Sequence, residues 1–159
     1  MLSLRPAVVK ALASALGGDT LTAELVLLAT ISRVIGRHGE VPVGKLALNI
    51  ANCPPPTAGD AASPVASRLG ETLRQLLPLC DTLPLTLDSL NSASLVPIKD
   101  HEANVIWPAA LQLPLGSVLL LDEAMMTPGK LVERGVKNVG ALKTLADSQR
   151  LGYDFTYFR

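Results

Sequence analysis

The amino-acid sequence predicts an α/β sandwich with a largely parallel sheet, incomplete at its C-terminal side, and three observations predict it. Helical and strand-like periodicities interleave along the 159 residues, the signature of helices layered on a sheet. The apolar run Val118-Leu119-Leu120-Leu121 ends in Asp122-Glu123, as a strand buried on both faces does where it meets solvent. Upstream, Gly18 to Leu25 occupies the frame of a phosphate-binding loop ahead of a long apolar helix.

The elements follow in order. Val8, Val9, Leu12, Ala15 and Leu16 recur at the spacing of an amphipathic helix over 7–16, which Gly17-Gly18 ends. Asp19 or Thr20 caps the next helix, which carries Leu21, Leu25, Leu28, Ile31, Ser32 and Ile35 as far as Gly36. Gly39 and Pro42 mark a turn, after which Leu46, Leu48 and Ile50 alternate as one face of a strand. The stretch from about 54 to 64 includes Pro54-Pro55-Pro56 and reads as a mobile surface loop. Ser63-Pro64 caps and opens a helix bearing Val65, Leu69, Leu73, Leu76 and Leu77. Leu83, Leu85 and Leu87 alternate as a strand, and Leu95 to Ile98 is a second short one. A short helix is expected to begin at Pro108, the buried strand follows at Val118, and Val139, Leu142, Leu145 and Ala146 mark a last helix. The chain closes on alternation of Tyr153, Phe155 and Tyr157 against Asp154 and Thr156. One domain over 1–159 accounts for this length.

Composition narrows the functional classes. Fourteen basic and fourteen acidic side chains give a formal net charge of zero, so no electrostatic footprint for direct nucleic-acid binding or for an anionic membrane is expected. No uncharged apolar run approaches the roughly 18 residues that span a bilayer. Aromatic residues are 3% of the chain, so the core must be filled with aliphatic side chains. Cys53 and Cys80 are too few for a disulfide framework. With His38 and His101 they lack the close pairwise spacing of a structural zinc site, so no metal is expected. Asp100-His101-Glu102 reads as a solvated turn, and Trp107 as a packing residue.

The phosphate-loop frame fails where chemistry needs it. A working loop ends Gly-Lys-Ser or Gly-Lys-Thr. Here Ala23 stands for the glycine, Glu24 for the phosphate-binding lysine and Leu25 for the magnesium-ligating hydroxyl, while Gly18, Asp19 and Thr22 keep the outline. A glutamate about 4 Å from a phosphate costs on the order of 4 kcal/mol at an effective dielectric near 20. Asp122 and Glu123 sit where hydrolases hold magnesium-bound water and activate the attacking water. Without the lysine and hydroxyl no catalytic residue, cofactor or nucleotide is expected. The other reading of 17–25 is a helix-Gly-Gly-helix corner with no phosphate-loop ancestry.

Particular strings carry a resemblance. They are Gly18-Asp19-x-Leu21-x-Ala23-Glu24, Pro42-x-Gly44-Lys45, Asn49-x-x-x-Cys53-Pro54, Pro97-x-Lys99-Asp100, Leu111-Gln112-Leu113-Pro114, Leu121-Asp122-Glu123, Gly129-x-Leu131, Gly135-Val136-x-Asn138 and Tyr153-Asp154-Phe155-x-Tyr157. In this order they resemble the minichromosome maintenance complex-binding family of nuclear replication factors, from about Leu12 onward. The resemblance implies binding to minichromosome maintenance helicase subunits, with roles in helicase disassembly or subunit handling, DNA replication and sister-chromatid cohesion. It also implies a longer protein, of which this chain is a central to C-terminal portion. The helicase subunits' own phosphate loop shares Gly18, Asp19, Thr22 and Ala23 with this chain, so the domain resembles a decayed AAA+ module. The expectation is therefore a non-catalytic binding factor. Its rivals are a working ATPase, or a purely structural domain whose binding activity lies elsewhere in the protein.

Overall fold

The computed structural model describes residues 4–155. In chain order its elements are α1 (Arg5–Ala15), α2 (Thr20–Ile31), β1 (Gly36–His38), β2 (Val41–Val43), α3 (Pro64–Leu76), β3 (Cys80–Pro84), α4 (Leu87–Ser92), β4 (Ile98–Asp100), β5 (Val105–Trp107), β6 (Val118–Asp122), a single 3-10 turn at Glu123–Met125, and α5 (Glu133–Ser148). The described residues form three two-stranded sheets: β3 with β6 in parallel, and β1 with β2 and β4 with β5 antiparallel. The α/β class holds, but the sheets are small and only one pair is parallel, where a largely parallel sheet was expected. They cluster into two compact units. One comprises the residues up to Ile35, Gly44–Leu85 and Gly116–Met125, the other Gly36–Val43, Thr86–Leu115 and the residues from Met126 onward.

In the first unit, Val9, Leu12, Ala13 and Ala15 of α1 meet Ala23 and Val26 of α2 and Leu69 and Leu73 of α3. This core has no aromatic member, as the composition requires. Helix α3 packs against both β3 and β6, with Val118 and Leu120 turned toward the core. Strand β6 is half-buried along its apolar residues, so it is not covered on both faces as expected. Leu48 and Ile50 also reach the core, yet 45–50 forms no strand. The period-two pattern set which side chains turn inward, but it supplied no neighbouring chain to complete a ladder.

One polar atom in this packing lacks a partner. Thr82 Oγ1 on β3 is buried with no hydrogen bond, and a Cβ built on Gly70 of α3 would lie 2.7 Å from it. Glycine at 70 lets the helix approach the strand over that hydroxyl. Because an unpaired buried hydroxyl costs about 1–3 kcal/mol, Thr82→Val is expected to stabilise the chain by about 1 kcal/mol. A thermal midpoint that falls, or does not move, would show that the hydroxyl has a partner in solution.

Departures from the expected elements occur in both units, beginning at the end of α2 in the first. Helix α2 stops at Ile31 instead of Ile35, because Ser32 takes an extended ψ of 144° and its hydroxyl bonds to Ala29 O at 2.8 Å. The residues beyond make an unforeseen hairpin: β1 and β2 are joined through Gly39-Glu40, with Gly39 at φ 59°, the left-handed geometry that two-residue hairpin loops demand. Pro42, expected in the turn, lies in β2 opposite Arg37. Arg37 donates to the carbonyls of Ser148 and Gln149 at 2.7 and 3.3 Å, satisfying the open end of α5.

Leu87, expected in a strand, begins α4, because Thr86 and Ser89 form a reciprocal capping box. Leu95 is not in a strand, and the residues after Pro108 make turns without a helix. Among the described residues at the chain end only Asp154 pairs as a strand does, bridging to Ile98. The rest of that alternation, at 156–158, lies outside the described residues.

Candidate functional site

The phosphate-loop frame is built on a corner. Helix α1 precedes it where a phosphate loop follows a strand. Gly17 and Gly18 take φ 68° and 94°, Gly18 N bonds to Ala13 O at 2.8 Å, and α2 leaves at 114° to α1. Asp19 caps α2: one carboxylate oxygen accepts from Thr22 N at 3.0 Å and the other from the Thr22 hydroxyl at 2.6 Å. Those bonds hold the Asp19 carboxyl below the usual carboxylate range. Ala23 is 0% exposed in the core, Glu24 is ion-paired with Arg5, and Leu25 is partly exposed. Both acids of the frame are committed to local partners, and the frame itself carries no cation.

The acidic strand end faces a different helix. Asp122, 3% exposed, accepts from Ser63 N at 2.6 Å, from the Ser63 hydroxyl at 2.8 Å and from Ala124 N at 3.3 Å. Ser63 is at the same time the N-cap of α3, accepting from Ala66 N. Glu123 opens the 3-10 turn and is exposed. In phosphate-loop proteins a hydroxyl at a helix start and an aspartate at a strand end share a magnesium ion. Here the hydroxyl and the carboxylate bond to each other directly. The loop that leads to this point, 53–62, contains no lysine or arginine.

Ser63 is legible in the sequence as a cap and Asp122 as a strand end, but nothing in their spacing marks them as partners. The available signal was a hydroxyl before a proline at a helix start, preceded by a glycine-bearing loop. No hydrogen bond in the described residues joins 18–25 to Asp122 or Glu123. A shallow groove of about 350 Å³ runs between the corner and α3, bordered by Gly17, Asp19, Thr22, Asn52, Cys53 and Arg68. Arg68 donates to Pro64 O at 3.2 Å within its own helix. Among the described residues no group of three or more His, Cys, Asp or Glu could hold a metal ion. Cys80 is free and its thiol is pushed up by burial.

Several of the strings that carry the resemblance form joints. Asn138 Oδ1 accepts from Leu95 N at 2.9 Å, and its amide donates to Leu90 O and Ala93 O at 2.8 and 2.7 Å. Three residues earlier, a Cβ on Gly135 would stand 2.4 Å from Asn91 Oδ1, the oxygen that accepts from Val132 N. Pro97-x-Lys99 and Asp154 are tied by Lys99 N to Asp154 O and Asp154 N to Pro97 O, both 2.8 Å. Gln112 donates to the Tyr153 hydroxyl at 2.7 Å, and Leu111 is buried.

Fold and site together define an α/β protein in which Asn91, Asn138 and Asp154 tie neighbouring segments together and the phosphate-loop frame is a structural corner. The chain belongs to the mini-chromosome maintenance replisome factor family, whose profile matches residues 1–159. It is 38% identical over 156 residues, 98% of its length, to a mini-chromosome maintenance complex-binding protein of Arabidopsis thaliana, covering 26% of that protein. To proteins of the same name it is 38% identical in Salmo salar, with 99% and 24% covered. In Homo sapiens the identity is 36%, with 92% and 22% covered. The chain therefore spans about a quarter of the length of these curated relatives. No solved structure matches it.

Proposed function

We propose that this chain is a non-catalytic binding module for minichromosome maintenance helicase subunits. The observation that carries this reading is that relatives 36–38% identical across nearly the whole chain are named for binding that complex. The geometry supports the non-catalytic half: the Asp122 carboxylate, which a hydrolase would offer to magnesium, is taken by both donors of Ser63. The parallel β3–β6 pair, with α3 packed on it and an acid at the strand end, supports a degenerate AAA+ relationship. Through it the module would meet a helicase subunit as a neighbouring subunit does. The cellular setting of the proposal is the nucleus, in helicase disassembly or subunit handling during DNA replication and in sister-chromatid cohesion.

The test is titration of the chain with each purified helicase subunit in turn, beside a titration with magnesium-ATP. At least one subunit is expected to saturate in the micromolar range or tighter, while ATP does not saturate below about 10 μM, an affinity worth about 7 kcal/mol. If no subunit binds, the binding reading falls. If ATP saturates at low micromolar concentration, the expectation that nucleotide is not a ligand falls, and ATP hydrolysis that vanishes in Glu123→Gln would overturn the non-catalytic reading.

A further inference from the structure

Helix α2 is apolar on two sides, and among the described residues only one of them packs into the core. Ala23 and Val26 face the core. Leu21, Leu25, Leu28 and Ile31 are 70%, 38%, 50% and 63% exposed, and at about 100° per residue they fall within an arc of about 120°. Ile35, beyond the helix end, is also exposed, as is Leu46, whose amide donates to the Ser32 hydroxyl at 3.0 Å. The charged residue within the arc, Glu24, is neutralised by Arg5. A surface helix ordinarily places polar residues opposite its buried stripe, and one that is apolar all round is covered on both sides.

Resting on the reading above, we propose that this stripe is the surface on which a helicase subunit docks, through an apolar, uncharged face of that subunit. The six side chains present on the order of 600 Å² of accessible surface. That is the upper end of what monomers leave exposed, and close to the roughly 800 Å² per partner of a stable complex once a polar rim is added. The stripe has no unpaired charge, so a charged partner surface would be desolvated without compensation. An apolar one loses nothing.

The experiment uses two substitutions chosen to leave folding intact. Leu21→Glu places an acid in the first turn of α2 and Ile31→Lys a base in the last, and each charge sign is favourable to the helix dipole there. Leu115→Glu, fully exposed and in the other unit, is the control. With thermal midpoints within a few degrees of the parent, both stripe variants are expected to bind the subunit at least ten-fold more weakly, and the control within two-fold. A parent that binds while both stripe variants bind equally well overturns this assignment and leaves the proposed function standing. A parent that binds no subunit overturns the proposed function itself. Sedimentation that shows the parent as a dimer, dissociated by the stripe variants without loss of subunit affinity, would assign the face to a second copy. Flotation with neutral phosphatidylcholine vesicles, abolished by both variants while subunit binding is kept, would assign it to a membrane.

Discussion

Replacing Asp122 by Ala is expected to destabilise the chain by about 3 kcal/mol, lowering its thermal midpoint by about 6–12 °C at this size. The carboxylate accepts from the amide and the hydroxyl of Ser63 and from Ala124 N, and both Asp122 and Ser63 are buried. Removing it strands the Ser63 amide away from water, and a buried donor left unpaired costs about 1–3 kcal/mol. Bonds to a charged acceptor are stronger than neutral ones, so the loss exceeds that of an ordinary hydrogen bond. Ser63→Ala should cost less, about 1–2 kcal/mol, because the backbone amide still reaches the carboxylate while the cap on Ala66 is lost. The two substitutions share a bond and should not add: a double-mutant cycle by urea unfolding is expected to show a coupling of at least about 1 kcal/mol. If Asp122→Ala costs under about 1 kcal/mol, the Ser63–Asp122 pair does not form in solution.

That pair also marks where the sequence could be read and where it could not. A helix beginning at Ser63 was legible from Ser-Pro followed by leucines at helical spacing, and β6 from an unbroken apolar run ending in an acid. Both patterns are local, set by capping geometry and by which side chains can be buried. That the two ends meet is a tertiary fact with no periodicity of its own, since 59 positions separate the partners. The corner at Gly17-Gly18 was legible as a helix stop followed by an N-cap. The commitment of Asp19 to Thr22 follows from the same rule, whereas the pairing of Glu24 with Arg5 spans two helices and had no signal in spacing.

The strands show the complementary limit. Alternation at Leu46, Leu48 and Ile50 reported inward-facing side chains faithfully for the last two, but alternation does not say whether a neighbour is available to accept backbone hydrogen bonds. The β1–β2 hairpin was missed because Arg37, His38 and Val41 give no apolar alternation. Its strands are largely exposed, so there was no burial pattern to read, and its turn is set by Gly39 alone. At Leu87 a strand pattern lost to a capping box, in which two side-chain to backbone bonds outweigh a single leucine's period.

The remaining prediction concerns the second unit, where Asn138 is 1% exposed and makes three hydrogen bonds to backbone groups of the segment Leu90–Leu95. Asn138→Ala is expected to cost about 4 kcal/mol. It removes the partners of one amide and two carbonyls at once, each unpaired group costing about 1 kcal/mol or more, and it leaves a small cavity between α4 and α5. Asn138→Leu tests which part dominates: it refills most of the volume but offers no polar atom, so it should recover under half of the loss if the bonds carry the effect. Hydrogen exchange should accelerate most at the Leu95 amide, which donates directly to Asn138 Oδ1, and along the neighbouring turns of α5. Gly135→Ala provides an independent check on the same joint, because its Cβ would meet Asn91 Oδ1 and force that side chain from Val132 N. Full recovery of stability in Asn138→Leu would show that the residue fills space and that the backbone groups find other partners. A loss near that of Asn138→Ala would identify the asparagine as the hydrogen-bonded tie that holds α4 and the turn after it onto α5.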